Sequence, residues 1–229
     1  MIRRTLTLTA LALLAAAPLT AQMGGMKHDA DKETGGGTLP AGWSARKDRA
    51  NAPDAKFVRM GTGLHVTSGA AAIYWQHRDK VSVPFSATAT FSQTRAPSHP
   101  EGYGLFVMGS KLDAPEQSYA YLLVRGDGKV MVKHRAGAEV HTIMDWTENA
   151  AVHKQDAEGR ATNTLSVTAA ADSTRMLVNG VQVAAMATDA AQGAGYVGLR
   201  VNHNLDVHVA DFRVTSGTAM KIKVRKAAR

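Results

Sequence analysis

The sequence predicts an all-β fold, a two-sheet antiparallel β-sandwich of the jelly-roll type. From Gly42 onward, apolar and polar residues alternate with a period of two, which is the spacing of side chains on one face of a strand. Turn-forming residues separate these segments at short intervals, and no segment has the period of a long helix. Many short strands divided by turns are typical of two sheets that bury their alternate residues against each other.

Fourteen strands are expected. Asn179-Gly180, between Met176-Leu-Val and Val181-Gln-Val, is the strongest hairpin signal in the chain. The polar stretch 145–160 is expected to be a loop long enough to hold a short helical turn. The expected strands cover residues 43–47, 56–60, 64–67, 71–76, 82–93, 103–108, 119–125, 129–135, 138–144, 164–169, 175–178, 181–185, 195–202 and 205–215.

The segment 102–135 predicts a strand followed by a β-hairpin. A three-residue loop over 126–128 sets Val124 opposite Val130, Leu122 opposite Val132 and Ala120 opposite His134. A two-residue loop would shift the register by one and mix the two faces, so the longer loop is expected. One face then lies in the core, and the other carries Tyr119, Tyr121, Leu123, Met131, Lys133 and Arg135.

The first 21 residues have the pattern of a secretory signal peptide. Arg3 and Arg4 precede an apolar run over 6–19, which is shorter than the roughly 20 residues of a membrane-spanning helix. Residues 22–40 have the composition of a flexible linker. We therefore expect a periplasmic or secreted protein without a transmembrane segment, in which a β-sandwich domain covers 41–216 and a basic tail covers 217–229.

Positive charge is concentrated at the C-terminal end. The formal net charge is +8 at pH 7, and the last nine residues contain five Lys or Arg and no acid. The remainder gives no sign of the basic stripe typical of nucleic-acid-binding domains, so no specific nucleic acid is expected as a partner. The tail could contact the cell envelope. Because the chain has no cysteine, no disulfide can stabilise it.

Aromatic and cationic side chains on and around the hairpin are candidates for ligand binding. Flat aromatic faces suit the C–H groups of a sugar, and cationic groups donate hydrogen bonds to hydroxyls. The alternative is that the rings fill a core, as Tyr and Trp in strands commonly do. The candidates are Tyr74, Trp75, Tyr119, Tyr121, Lys133, Arg135 and Trp146.

Two further groups contain side chains that bind metals or transfer protons. Asp206 and His208 share a strand face and His203 lies across the preceding turn, which makes them candidates for a divalent metal; the alternative is a polar turn and a solvated strand face. No other cofactor is expected. Carboxylates and histidines also suit a hydrolase, although spacing gives no evidence that these residues meet. The catalytic candidates are Glu101, His134, His141 and Asp145.

Several strand segments resemble the concanavalin A-like lectin and glucanase superfamily. Within it, the chain is most similar to laminin-G-like modules and to the 3-keto-disaccharide hydrolase domains of exported bacterial proteins. The resemblance covers residues 42–215 and implies two stacked sheets with a concave face that often binds carbohydrate. The segments are Gly104-Leu-Phe-Val, Tyr121-Leu-Leu-Val, Lys129-Val-Met-Val, Leu177-Val-Asn-Gly-Val-Gln-Val, Gly195-Tyr-Val-Gly-Leu-Arg and Val209-Ala-Asp-Phe-Arg-Val.

The catalytic signatures of these relatives are missing. Retaining glucanases of the superfamily carry Glu-x-Asp-x-Glu on one strand, whereas the nearest approach here is Lys154-Gln-Asp-Ala-Glu. The tryptophan-asparagine and tyrosine-glutamate signatures of the keto-disaccharide hydrolase domains are absent too. The sequence therefore favours an exported module that binds a carbohydrate or glycoconjugate. The alternatives are a glycoside hydrolase and a structural or envelope-interaction protein.

Overall fold

A computed structural model describes residues 39–52, 54–67, 70–188 and 194–217. These residues contain fourteen β-strands and no helix, as expected. The predicted signal peptide, the linker up to residue 38 and the tail from residue 218 lie outside them. The strands are β1 (Trp43–Lys47), β2 (Lys56–Met60), β3 (Gly63–Thr67), β4 (Ala72–Ser82), β5 (Phe85–Gln93), β6 (Gly102–Ser110), β7 (Ser118–Arg125), β8 (Lys129–Ala136), β9 (Glu139–Glu148), β10 (Ala161–Ala169), β11 (Ser173–Val178), β12 (Val181–Ala187), β13 (Ala194–Val201) and β14 (Asp206–Ser216).

The strands form two seven-stranded sheets. The first sheet has the order β1-β4-β13-β6-β7-β8-β9, and the second has the order β12-β11-β10-β5-β14-β3-β2. Neighbouring strands are antiparallel throughout both sheets. The predicted all-β, two-sheet antiparallel sandwich is confirmed. No helix among the described residues has the length and apolar character needed to cross a membrane.

Alternation along each strand builds the core between the sheets. On β5, Phe85 and Phe91 point inward and are fully buried. Ala87 and Ala89 are buried between them, whereas Thr88 and Thr90 point outward and each make a 2.9 Å hydroxyl contact with β10. Burying one such phenylalanine stabilises the fold by about 2–3 kcal/mol, so the period-two pattern fixes which face of the strand is buried.

The hairpin of β7 and β8 has the predicted register. Val124 pairs with Val130, Leu122 with Val132 and Ala120 with His134. Gly128 has a φ of +87°, and its amide donates to the Arg125 carbonyl at 3.1 Å. The three-residue loop is therefore confirmed, because glycine adopts this left-handed conformation without steric cost.

Two expectations need correction. The strand predicted over 82–93 is divided at Pro84, which has no amide hydrogen for the ladder, so β4 ends at Ser82 and β5 begins at Phe85. The stretch 145–160 begins inside β9, and its remaining part holds turns instead of a helical turn. Side chains of the second sheet hold this loop: Gln93 donates to the Gly159 carbonyl at 2.6 Å, and Asn163 accepts from the His153 amide at 2.8 Å.

A candidate binding cleft on the outer face of the first sheet

The outer face of the first sheet carries a second apolar cluster. It contains Ile73, Trp75, Phe106, Leu112, Tyr119, Tyr121, Leu123 and Met131. Leu112 belongs to the loop between β6 and β7, which lies over the rings. Arg46 of β1 fastens this loop by donating to the carbonyls of Leu112 and Ala114 at 2.8 and 2.6 Å. The aromatic rings on the outer face of the hairpin are therefore covered by this loop.

This cover corrects the prediction of an aromatic platform. Trp75 and Tyr119 are each 1% exposed and Tyr121 is 5% exposed. Tyr74 faces the space between the sheets instead, where its ring stacks on Phe57 at 4.6 Å. A ligand cannot reach these four rings, which fill cores as the alternative expectation held.

The other three members of the predicted platform are partly exposed. Trp146 packs against the outer cluster, and the Arg125 guanidinium covers its ring at 4.4 Å. Lys133 and Arg135 lie on β8 with intermediate exposure. Arg135 Nη2 lies 3.9 Å from the carboxylate of Asp48, a residue that follows β1.

Arg200 on β13 is the most constrained charged side chain on this face. Its guanidinium donates to both carboxylate oxygens of Asp48, at 3.1 and 2.6 Å, and to the Tyr119 hydroxyl at 3.2 Å. It also lies over the Tyr121 ring, 5.0 Å from the centroid. The Arg200 side chain is 7% exposed and that of Asp48 is 25% exposed. Two parallel hydrogen bonds of this kind fix the orientation of both the guanidinium and the carboxylate.

The ionisation of Asp48 follows from its neighbours. Burial alone would raise the pKa of this carboxyl. The hydrogen bond from Arg200 and the positive charges of Arg200, Arg135 and Arg46 together outweigh burial, so the pKa of Asp48 lies below its ordinary value. Asp48 is therefore a fixed anion among three cations at neutral pH.

A cleft of about 760 Å³ opens beside this pair. Four segments meet there: the residues after β1, the residues before β4, the residues before β6, and the end of β13 with its following turn. The Asn202 amide donates to the Gly102 carbonyl at 3.0 Å, and the Asn202 side chain donates to Glu101 Oε2 at 3.0 Å. The polar residues that line the cleft are Asp48, Arg49, Asn51, Glu101, Arg200, Asn202 and His203.

Three side chains converge at the margin of the cleft. His99 Nε2 lies 3.0 Å from His203 Nε2 and 3.1 Å from Glu101 Oε1, and His203 Nε2 lies 3.2 Å from the same oxygen. Among the described residues, these are the ones whose donor atoms are grouped closely enough for a shared metal ion.

The structure divides the predicted metal group His203, Asp206 and His208. His203 belongs to the cleft, whereas Asp206 accepts from His65 at 2.6 Å and from Thr94 at 2.8 Å. Burial acts against ionisation of Asp206, but these bonds, with the charges of His65 and Arg95, lower its pKa to about 2. His208 pairs with His65 across β14 and β3 in the second sheet. Asp206 and His208 do share a strand face, but their donor atoms are not grouped with those of His203.

The catalytic candidates are also distributed over separate places. Glu101 lies in the cleft, directly before β6. His141 and Asp145 lie on β9, and the two strands β7 and β8 stand between β6 and β9 in the sheet. His134 and His141 stack across β8 and β9 at 6.1 Å and line a cavity of about 290 Å³. Burial, followed by the charge of His141, lowers the pKa of His134. Asp145 is exposed and accepts from the Trp146 amide at 2.8 Å.

Sequence reasoning did not single out Asp48, Arg49 or Asn51. They follow β1 directly, and a polar turn after a strand is an ordinary feature. Their position beside Arg200 depends on the pairing of β1 with β4 and of β4 with β13. The sequence shows a run of charged residues at the end of the strand predicted over 43–47. It does not show that these residues lie beside β13.

No protein-family model and no curated protein sequence matches the chain. The carbohydrate-binding module CBM66 from Bacillus subtilis is similar in structure, with a TM-score of 0.55 and 15% identity over 76% of this chain and 96% of that chain. A Bacillus subtilis protein of unknown function with a galectin-like fold has a TM-score of 0.54 and 14% identity, over 76% of this chain and 88% of that chain. The carbohydrate recognition domain of Emp46p has a TM-score of 0.53 and 10% identity, again over 76% of this chain and 88% of that chain. These likenesses show a galectin-like or concanavalin A-like sandwich, so the resemblance seen in the sequence is confirmed for the fold.

Proposed function

We propose that this chain is an exported module that binds a carbohydrate or glycoconjugate in the cleft on the outer face of the first sheet. The observation that carries the proposal is the lining of this cleft by planar donors and acceptors, among them Arg200, Asn202 and Glu101. Its volume lies within the range of about 300–1,000 Å³ that ligand pockets commonly have. Two structural neighbours are carbohydrate-binding proteins by name, and the secretory pattern of the first 21 residues supports export.

The chemistry of the lining suits sugar hydroxyls, each of which both donates and accepts a hydrogen bond. Carboxylates such as Asp48 and Glu101 accept, whereas Arg200 and Asn202 donate. The side chains hold one another in position before any ligand arrives, which lowers the entropy cost of binding. Two carboxylates and two guanidinium groups line the cleft, so its fixed charges balance and favour a neutral sugar over a polyanion.

Binding of the purified chain to a broad array of glycans and polysaccharides tests this function. We expect binding to at least one neutral glycan, and about a tenfold or greater loss in the double variant Arg49→Ala, Asn51→Ala, which removes exposed donors and leaves Asp48 and Arg200 in place. Arg175→Ala is the matched control, because Arg175 is exposed on β11 of the other sheet. It should bind like the unaltered chain.

Three results would overturn the proposal. The first is no binding to any glycan, and the second is equal binding by the double variant. The third is release of free sugar that Glu101→Gln abolishes, because it would assign the cleft to a glycoside hydrolase. Binding without release supports a non-catalytic module.

A further inference from the structure

The triangle of His99 Nε2, Glu101 Oε1 and His203 Nε2 has nearly equal sides of 3.0, 3.1 and 3.2 Å. Zinc bonds to imidazole nitrogen and carboxylate oxygen are near 2.0–2.1 Å, so two ligand atoms of a tetrahedral site are separated by about 3.4 Å. The triangle therefore matches one face of such a tetrahedron to within a few tenths of an ångström. A modest outward shift of each side chain completes the fit.

Hydrogen bonds alone do not satisfy this triangle. Each imidazole carries at most one hydrogen on Nε2, and an ionised carboxylate carries none. If both nitrogens are protonated and donate to Glu101, the contact between the two nitrogens has no hydrogen bond. If one nitrogen is unprotonated, its lone pair faces the carboxylate oxygen. A cation accepts one lone pair from each of the three atoms and satisfies all three contacts.

Neighbouring groups orient two of the three side chains, those of Glu101 and His99, from behind. Asn202 donates to Glu101 Oε2 at 3.0 Å, which leaves Oε1 for the triangle. His99 Nδ1 lies 3.2 Å from Ser98 Oγ, which in turn contacts the Asn204 side chain. Such outer contacts fix ring orientation and ligand basicity in metal sites. The Glu101 side chain is 12% exposed, while both histidines are about half-exposed, so an ion has a path from solvent.

We propose that His99, Glu101 and His203 bind a divalent first-row transition-metal ion, with Zn²⁺ as the best match. Two imidazoles and one carboxylate suit such ions, whereas Ca²⁺ takes six to eight oxygen ligands. Three protein ligands leave a fourth position open. Because Glu101 and His203 also line the cleft, this position lies at its margin, where a bound hydroxyl could occupy it. The metal site does not depend on the proposed carbohydrate function.

Calorimetric titration of the chelator-treated full chain with ZnCl₂ tests the site. We expect one strongly bound Zn²⁺ per chain and no comparable binding of Ca²⁺. His99→Ala, His203→Ala and Glu101→Gln should each weaken Zn²⁺ binding by about 100-fold or more, and the positioning variant Asn202→Ala by about 10-fold. Both histidine variants alter half-exposed side chains, so the domain should remain folded, as the melting temperature without metal will show.

Two controls separate this site from other histidines. His77→Ala removes an exposed histidine of β4, and His28→Ala removes one from the N-terminal segment. Both variants should keep the affinity of the unaltered chain. With Co²⁺ in place of Zn²⁺, a visible absorption band typical of low coordination number should form, and His203→Ala should abolish it.

The proposal fails if the His99, His203 and Glu101 variants bind Zn²⁺ as well as the unaltered chain, if His28→Ala removes the binding, or if no Zn²⁺ binds. Zn²⁺ binding at the triangle in a chain that binds no glycan would support the metal site and overturn the proposed function. Glycan binding by a chain that binds no Zn²⁺ would support the proposed function and overturn the metal site.

Discussion

Asp48 has a stabilising role because it neutralises the buried guanidinium of Arg200. Replacing Asp48 by Asn keeps the shape of the side chain and removes its charge, which leaves Arg200 without a counter-ion. We expect Asp48→Asn to lower the free energy of unfolding by about 2–4 kcal/mol, somewhat reduced by the 25% exposure of Asp48. Urea unfolding at pH 7 measures this change.

Asp54→Asn is the control for this effect. Asp54 also pairs with a cation, Lys47 at 2.8 Å, but its side chain is 81% exposed. Exposed pairs contribute little, so a loss of less than about 1 kcal/mol is expected. Equal losses in the two variants would show that burial of Arg200 does not set the size of the effect.

Asp206 makes stability depend on pH in the acid range. Its folded pKa of about 2 lies below the ordinary value of 3.8. The folded state therefore favours the ionised form, and the resulting stability is complete above about pH 4 and is lost as the pH falls through 2. Asp206→Asn should remove about 2 kcal/mol of this pH dependence, measured by unfolding between pH 2 and 7.

Asp211→Asn should leave the pH profile unchanged. Asp211 lies on the same strand, β14, and pairs with Arg213 at 2.9 Å, but both side chains are mostly exposed. A profile that changes equally in the two variants would contradict a specific role for the contacts of Asp206 with His65 and Thr94.

The loop between β9 and β10 depends on one buried amide of β10. Asn163 is fully buried; its oxygen accepts from the His153 amide and from Asn179, each at 2.8 Å, and its nitrogen donates to the His153 carbonyl. Asn163→Ala leaves these partners unsatisfied, so we expect a loss of about 2–3 kcal/mol and faster hydrogen exchange at the His153 amide. Thr162→Ala, on the exposed face of the same strand, should change neither measurement by much. Unchanged exchange at His153 in Asn163→Ala would contradict the role of this amide.

This loop also shows which single elements the sequence predicts and which it does not. Strands were predictable because alternation and turn residues such as Asn179-Gly180 act within a few positions. The course of residues 149–160 was not, because its partners Gln93 and Asn163 belong to other strands. The loop between β6 and β7 was missed as a cover for the aromatic rings for the same reason: Arg46, which holds it, is more than 60 residues away.

At the scale of the whole molecule, sheet order decides which side chains form the cleft. β13 lies between β4 and β6, which brings the residues after β1, before β6 and after β13 to one place. Sequence periodicity gives the faces of each strand but not the order of strands. Glu101 and His203 were therefore predicted separately, one as a catalytic candidate and the other as a metal ligand, although their side chains lie 3.2 Å apart.

The charge of the whole chain is divided unevenly between its domain and its last residues. Lys221, Lys223, Arg225, Lys226 and Arg229 lie together without an acid, whereas the cleft residues are balanced in charge. Near an anionic membrane each such cation contributes about 1 kcal/mol of attraction, which salt screens. We expect the full chain to bind vesicles containing phosphatidylglycerol at low salt, and deletion of residues 218–229 to weaken this binding by about 100-fold or more. The melting temperature and glycan binding of the shortened chain should be unchanged, because the shortened chain keeps every core and cleft residue named above. Vesicle binding that survives the deletion would assign the attraction to the sandwich itself.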